Sequence, residues 1–255
     1  MLLAIDIGNT NIALGIFFNK KLLKQWKINS DREKTCDEYK VLLMELFAME
    51  HIKAQEIKDI IISSVVPPLT PVFQSLCRDL FEMRPMVVGP GLKTGLPILY
   101  EHPAEVGADR VVASLAGFEK FGGPVIVVDF GTATTFDAVS GKGEYLGGAI
   151  APGIQSAAES LYLKTAKLPR IEIVKPKQAV GRTTVASMQS GLYFGYVGLV
   201  SKIIDVIKKE IGKNAKVITT GGFAELIMPE LDDIDGFEPF LVLEGLRIMY
   251  EKNRN

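Results

Sequence analysis

The chain has 255 residues, 47% of them hydrophobic and 23% charged, enough apolar content to fill the core of one large domain or two modest ones. Its 29 Lys and Arg against 30 Asp and Glu leave a formal net charge of -1 without a long basic run, which argues against a nucleic-acid or membrane-surface partner and for small molecules. No basic leader precedes Asp6 and no apolar stretch approaches the roughly 20 residues of a spanning helix, so a cytoplasmic location is expected. Cys36 and Cys77 lie far apart, with no Cys-x-x-Cys or paired-His surroundings that suit zinc, and both are expected to be reduced, buried thiols.

In chain order, Leu2 to Ile7 is an apolar strand interrupted by Asp6, and Gly8-Asn9-Thr10 turns it into a second strand, Ile12 to Phe18. A third strand is expected over Leu22 to Ile28. Thr35 to Met49 has helical spacing at Tyr39, Leu42, Leu43, Leu46 and Phe47, and Ile60 to Ile62 is a buried strand that ends at Ser63 and Ser64. Pro103 is suited to a first helical position and predicts a helix through Phe118. Val125 to Val128 then opens a second cycle, in which an apolar strand again meets an acid and a turn, Asp129-Phe130-Gly131-Thr132. Strands at Phe136 to Val139 and Tyr145 to Ile150 follow, with helices near Gly153 to Leu163 and Thr184 to Ile211. A last strand, Lys216 to Thr219, runs into Gly221-Gly222 and a helix. The repeated Asp-x-Gly openings form a weak internal repeat. It predicts an N-terminal domain over 1–118 and a C-terminal domain over 119–239, with a terminal helix in 240–255 packing back on the first.

Both Asp-x-Gly turns suit phosphate, because Gly lets backbone amides approach anionic oxygens closely and a neighbouring Asn or Thr adds a donor. An ionised Asp does not itself hydrogen-bond phosphate, but it can hold a cation beside it. The competing reading is that Asp6 and Asp129 merely cap turns between strands. Thr219-Thr220-Gly221-Gly222 leaves backbone room for an adenosine, or is simply a strand-to-helix turn. The Walker loop, a contiguous G-x-G-x-x-G and the protein-kinase motif set are all absent from the sequence.

Four segments in order, Asp6-Ile7-Gly8-Asn9-Thr10-Asn11, Gly107-Ala108-Asp109-Arg110, Asp129-Phe130-Gly131-Thr132-Ala133-Thr134 and Gly147-Gly148-Ala149-Ile150-Ala151-Pro152-Gly153, resemble the type III pantothenate kinases. The resemblance covers nearly the whole chain, from Asp6 to Gly222. It implies an α/β architecture with a duplicated ribonuclease-H-like (actin-like ATPase) fold, two domains with mixed sheets flanked by helices. It also implies a homodimer with a composite active site that uses ATP, Mg2+ and a monovalent cation, K+ or NH4+, to phosphorylate pantothenate.

On that resemblance Asp109 is the catalytic base for the substrate hydroxyl, and Arg110, a planar cation suited to a carboxylate, binds the substrate. From the residues alone the pair also reads as ordinary helix-surface charges. Gly107, Ala108, Tyr100 and Thr184 match family substrate contacts; Tyr100 alternatively ends a strand, and Thr184 is alternatively an ordinary hydroxyl at a helix start. Residues Asp6 through Ala13 (Ile7, Gly8, Asn9, Thr10, Asn11 and Ile12 between them), with Thr132, Gly221 and Gly222, are assigned to ATP. Asp6 is assigned to magnesium through water, and Asp129 to the monovalent cation. The rival readings are a nonenzymatic regulatory protein of the same fold, or another small-molecule kinase or phosphatase. Intact Asp6, Asp109 and Asp129 argue against the first, and Gly107 to Arg110 against the second.

Overall fold

A computed structural model describes residues 1–254; Asn255, the last residue of the expected 240–255 segment, lies outside the described residues. The chain forms two compact units. One comprises Met1–Leu96, His102–Ala116 and the chain from Val242 onward; the other comprises Pro97–Glu101 and Gly117–Leu241.

In the first unit, strands β1 (Leu2–Ile7), β2 (Asn11–Phe18), β3 (Lys21–Asn29), β4 (Asp59–Ser64) and β5 (Met86–Val87) lie in the order β3-β2-β1-β4-β5. β1 pairs antiparallel with β2 and parallel with β4, with Asp6 opposite Ala13 on one side and Ser63 on the other. Alternation along β1 sends Leu3, Ile5 and Ile7 into a core with Tyr39, Leu43 and Phe47 of helix α1 (Cys36–Met49). Helix α2 (Leu69–Phe81) adds Leu69, Phe73, Leu76, Cys77 and Phe81. Thr35 starts α1 through a capping box in which its hydroxyl accepts the Glu38 N–H and Glu38 accepts the Thr35 N–H, 2.7 Å.

The opposite face of this sheet carries Leu2, Ala4 and Asp6. Helix α7 (Leu241–Asn253) reaches it through Leu243, beside Gly15 on β2, and through Arg247, whose guanidinium lies 6.0 Å from the Phe17 ring centroid. Gly245 lets α7 close on helix α3 (Ala108–Phe121), since a methyl there would sit 2.1 Å from the Val112 carbonyl oxygen.

The second unit repeats the topology. β6 (Val125–Phe130), β7 (Ala133–Val139), β8 (Tyr145–Pro152), β9 (Lys216–Thr220) and β10 (Gly236–Phe237) run in the order β10-β9-β6-β7-β8, so a meander of three is again followed by two parallel strands. Ile126, Val128, Phe130 and Phe136 face the core, where they meet Tyr193, Tyr196, Val200 and Ile204 of helix α5 (Thr184–Ile211) and Ile154 of helix α4 (Ile154–Lys164). Val127 and Asp129 point to the other face. A short helix α6 (Ala224–Ile227) follows β9.

Four expectations need correction. The helix expected from Pro103 is broken: Pro103–Glu105 form a separate 3-10 turn, Val106 is extended, and α3 begins only at Ala108. The segment 97–101 belongs to the second unit, because Leu99 N donates to Tyr145 O and Tyr145 N to Pro97 O, both at 2.8 Å. Cys36 is only half-buried, whereas Cys77 is fully enclosed and burial pushes its thiol up to about 12. Finally, α5 is long and apolar enough, by length and composition, to span a membrane. One face of it, however, is packed in the second core, and its last turns carry Lys208, Lys209 and Glu210.

Candidate active site

In the first unit Asp6 is the penultimate residue of β1, just before the turn into β2. Gly8 N donates to Asn11 O at 3.0 Å, closing a turn in which Asn9 and Thr10 are exposed and Asn11 half-buried. The turn is braced from outside: Ser30 N donates to Thr10 O at 3.0 Å, and the Arg32 guanidinium to Asn9 Oδ1 at 3.0 Å. Ile7 and Ile12 bury their side chains in the core, so they can offer a ligand only backbone groups. Asp6 is half-buried and accepts the Ser63 hydroxyl, its register partner on β4.

The Gly107 to Arg110 segment arrives at the same end of this sheet. Val65 N donates to Ile7 O at 3.0 Å just past β4, and a methyl on Gly107 would stand 3.5 Å from Val65 Cγ1. Asp6 also faces the side of the sheet that α7 reaches through Leu243 and Arg247. The break before α3 places Asp109 in the first helical turn rather than mid-helix, and its Oδ1 accepts the Arg110 N–H at 2.8 Å. A methyl on Gly107 would lie 2.5 Å from that same oxygen, so glycine leaves the carboxylate its place. Burial pushes the Asp109 carboxyl above the ordinary carboxylate range, while the Arg110 amide and guanidinium oppose the shift. Arg110 itself is buried at 9% exposure, which removes the helix-surface reading of the pair.

In the second unit Asp129 lies across from Thr135 on β7 and Thr220 on β9, and is half-buried. Gly221 presses on it from the end of β9. Its φ of +93° and the 2.4 Å at which a methyl would meet Asp129 Oδ1 both require glycine. Thr132, exposed at the hairpin tip, is tied through its carbonyl to the start of α4: Gly153 N donates to it at 3.1 Å and Ser156 Oγ at 2.7 Å. Asp129 and Gly221 therefore stand side by side, with Gly222 exposed next to Gly221 and Thr132 at the tip of the hairpin that follows Asp129. Thr184 stands elsewhere in this unit. Thr183, not Thr184, caps α5 by accepting the Ala186 N–H at 3.1 Å, which leaves Thr184 exposed in an open concavity with Gly181, Arg182 and Ser187. Tyr100 packs on Gly147, where a methyl would come within 3.3 Å of its ring.

The sequence alone does not single out Ser63, whose hydroxyl the fold sets on Asp6. Its signal was present in the strand that ends in Ser63-Ser64, and the parallel register that sets it beside Asp6 emerges only from the fold.

Residues 2–206 match the family described as type III pantothenate kinase. The chain is 53% identical over 254 residues to the type III pantothenate kinase of Geobacter sulfurreducens, covering 100% of each chain. It is likewise 53% identical over 253 residues to that of Moorella thermoacetica, covering 99% of this chain and 100% of the relative. Among solved structures, the activator of the 2-hydroxyisocaproyl-CoA dehydratase from Clostridium difficile, with bound ADPNP, is similar at a TM-score of 0.57 and 12% identity over 98% of this chain and 95% of that one, a likeness of fold alone. With a family match over most of its length and relatives identical at more than half of all positions from end to end, the chain belongs to the type III pantothenate kinase family.

Proposed function

We propose that this protein transfers the γ-phosphoryl group of ATP to the primary hydroxyl of pantothenate, giving 4'-phosphopantothenate and ADP, the first step of coenzyme A synthesis. The observation that carries the mechanism is Asp109, a carboxylate made more basic by burial and set at the sheet end that bears Asp6. A base works best when its pKa approaches the operating pH, and raising a carboxylate moves it in that direction. Asp109 accepts the hydroxyl proton as the oxygen–phosphorus bond forms and the bond to the ADP oxygen breaks; no enzyme-bound phosphate intervenes. Arg110, next in sequence and permanently charged, holds the pantothenate carboxylate. Tyr100 and Thr184 contact the same substrate, while the Gly8 to Asn11 amides and Thr132 contact phosphates, and Gly221-Gly222 borders the adenosine.

The family implies magnesium and a monovalent cation. The Asp6 carboxylate and Ser63 hydroxyl are hard oxygen donors. No group of three or more His, Cys, Asp or Glu side chains able to hold a metal occurs among the described residues, which suits magnesium held mainly by nucleotide phosphates and water. Asp129, flanked by Thr135 and Thr220, is an oxygen site for potassium or ammonium. Cations held there would neutralise phosphate charge.

A homodimer completes this reading. On α5, methyls added at Gly191, Gly195 and Gly198 would meet nothing within 4 Å, so this small-residue stripe is not packed on its own chain and is open to the helix of a second copy. Phe194 and Val185 are exposed on the same helix. Such a pairing carries Thr184 to the partner's substrate. The enzyme works in the cytoplasm, where it meets both substrates.

Purified protein given pantothenate, ATP, magnesium and potassium should form 4'-phosphopantothenate, and less of it when potassium and ammonium are both left out. No phosphorylated pantothenate under the complete conditions would refute the reading.

A further inference from the structure

We infer that Tyr145 is a positioning residue for the acceptor substrate and acts through Tyr100; the inference rests on the assignment of Tyr100 to pantothenate. Residues Pro97 to Leu99 join the start of β8 through one isolated parallel bridge, Ile98 opposite Tyr145, held by two backbone hydrogen bonds of Tyr145, each 2.8 Å. This delivers Tyr100 onto Gly147, and its ring lies 6.4 Å from the Tyr145 ring, tilted by 49°. Tyr145 thus fixes the Tyr100 segment by its backbone and flanks the Tyr100 ring by its own.

The Tyr145 ring is itself anchored. It is fully buried, and its hydroxyl donates to Asp137 Oδ1 at 2.7 Å. Asp137 is only 1% exposed, and its other oxygen accepts the Thr135 hydroxyl at 3.0 Å. A buried carboxylate without donors is strongly unfavourable, so these two hydroxyls are held firmly, and charge-assisted bonds of this kind are stronger than neutral ones. The result is a relay of contacts, Thr135 to Asp137 to Tyr145 to Tyr100, that starts opposite Asp129, the β6 register partner of Thr135. Neither Tyr145 nor Asp137 needs to touch the substrate for this role. Their effect is on where the Tyr100 ring stands before pantothenate arrives.

The test is steady-state kinetics on the full-length protein with Tyr145→Phe, which keeps the ring and removes the anchoring hydroxyl. Pantothenate KM should rise about five-fold, the size expected for one hydrogen bond, while kcat and ATP KM stay within about two-fold of the parent. In a Tyr100→Ala background the same substitution should add almost nothing. Asp137→Asn, which retains an acceptor oxygen for Tyr145, should raise pantothenate KM less than Asp137→Ala does. If Tyr100→Ala raises pantothenate KM but Tyr145→Phe only lowers the melting temperature, the positioning role is overturned and the substrate assignment stands. If Tyr100→Ala leaves pantothenate KM at the parental value, the assignment of Tyr100 fails and the positioning role falls with it.

Discussion

The hairpins that present Asp6 and Asp129 share one topology, a meander of three strands followed by two parallel ones, yet they are braced differently. The first turn, Gly8 to Asn11, is held from outside by the Arg32 side chain and the Ser30 amide, and Asn9 and Thr10 remain exposed. The second is shorter by one residue between paired strands, and backbone packs against backbone: a methyl on Gly153 would come within 2.4 Å of Gly131 O, and one on Gly221 within 2.5 Å of Phe130 N. Duplication thus supplied one fold and two kinds of acidic turn. The exposed turn has amides and side chains to offer to phosphate, and the enclosed one fixes a carboxylate within a tight cage. Asp109 belongs to the first unit, so on the proposed function proton transfer falls to that unit and the cation seat to the other, where Thr132 adds a phosphate contact.

The sharpest way to break this division is Asp109→Asn, which should lower turnover by ~10²–10⁴-fold with the fold and ATP binding retained. A turnover within about two-fold of the parent would place Asp109 outside the proton transfer. The stability of this variant has a definite sign. Because the folded-state pKa of Asp109 is raised, the native state holds its proton more tightly than the unfolded chain, so its contribution is present at low pH and lost as pH rises through the folded value. The neutral Asn variant should therefore unfold no more easily than the parent at neutral pH, and the gap in its favour should shrink on acidification.

In the second unit, Asp129→Ala should abolish the response to potassium or ammonium together with most of the activity. Full parental activity in a buffer free of both ions would contradict the cation seat. A smaller signal comes from mixing chains. Asp109→Asn and Thr184→Arg proteins, each inactive, should recover about a quarter of parental activity after unfolding and reannealing together, since about half of the dimers are mixed and each has one intact site. No recovery despite proven chain exchange would show that the two residues do not act across chains. The smallest effect compares the turns themselves. Gly221→Ala, at φ +93°, should reduce unfolding free energy by about 1–3 kcal/mol in urea titrations. Gly8→Ala, where the new methyl would lie 3.0 Å from Asn11 O, should change it by about 0.5 kcal/mol. Equal losses at the two sites would remove the distinction between an adjustable and a caged turn.

Much of this was legible from residue order, for physical reasons that differ by element. The strands before Asp6 and Asp129 announce themselves because an apolar run with both faces buried stops at an acid and a glycine. Helix α5 runs from Thr184 to Ile211 as expected, since its apolar spacing is uninterrupted by proline. Helix α2 went unread although Phe73, Leu76, Cys77 and Phe81 have helical spacing, because Pro67, Pro68 and Pro71 look like breakers when they are tolerated at a helix start. The burial of Arg110 and the bond from Tyr145 to Asp137 were not legible. Both depend on strand register and on what covers a sheet face, which neighbours in sequence do not encode.

The most direct measurement follows ATP consumption and pantothenate phosphorylation together by phosphorus NMR, for the parent and for Asp109→Asn, across a range of pH. For the parent the account predicts one 4'-phosphopantothenate per ATP consumed, with kcat/KM falling on the acid side at a pH above the ordinary carboxylate range, as burial of Asp109 requires; in the variant that acid limb should vanish along with most of the rate. ATP loss without phosphorylated pantothenate, or an acid limb that survives in Asp109→Asn, would contradict it.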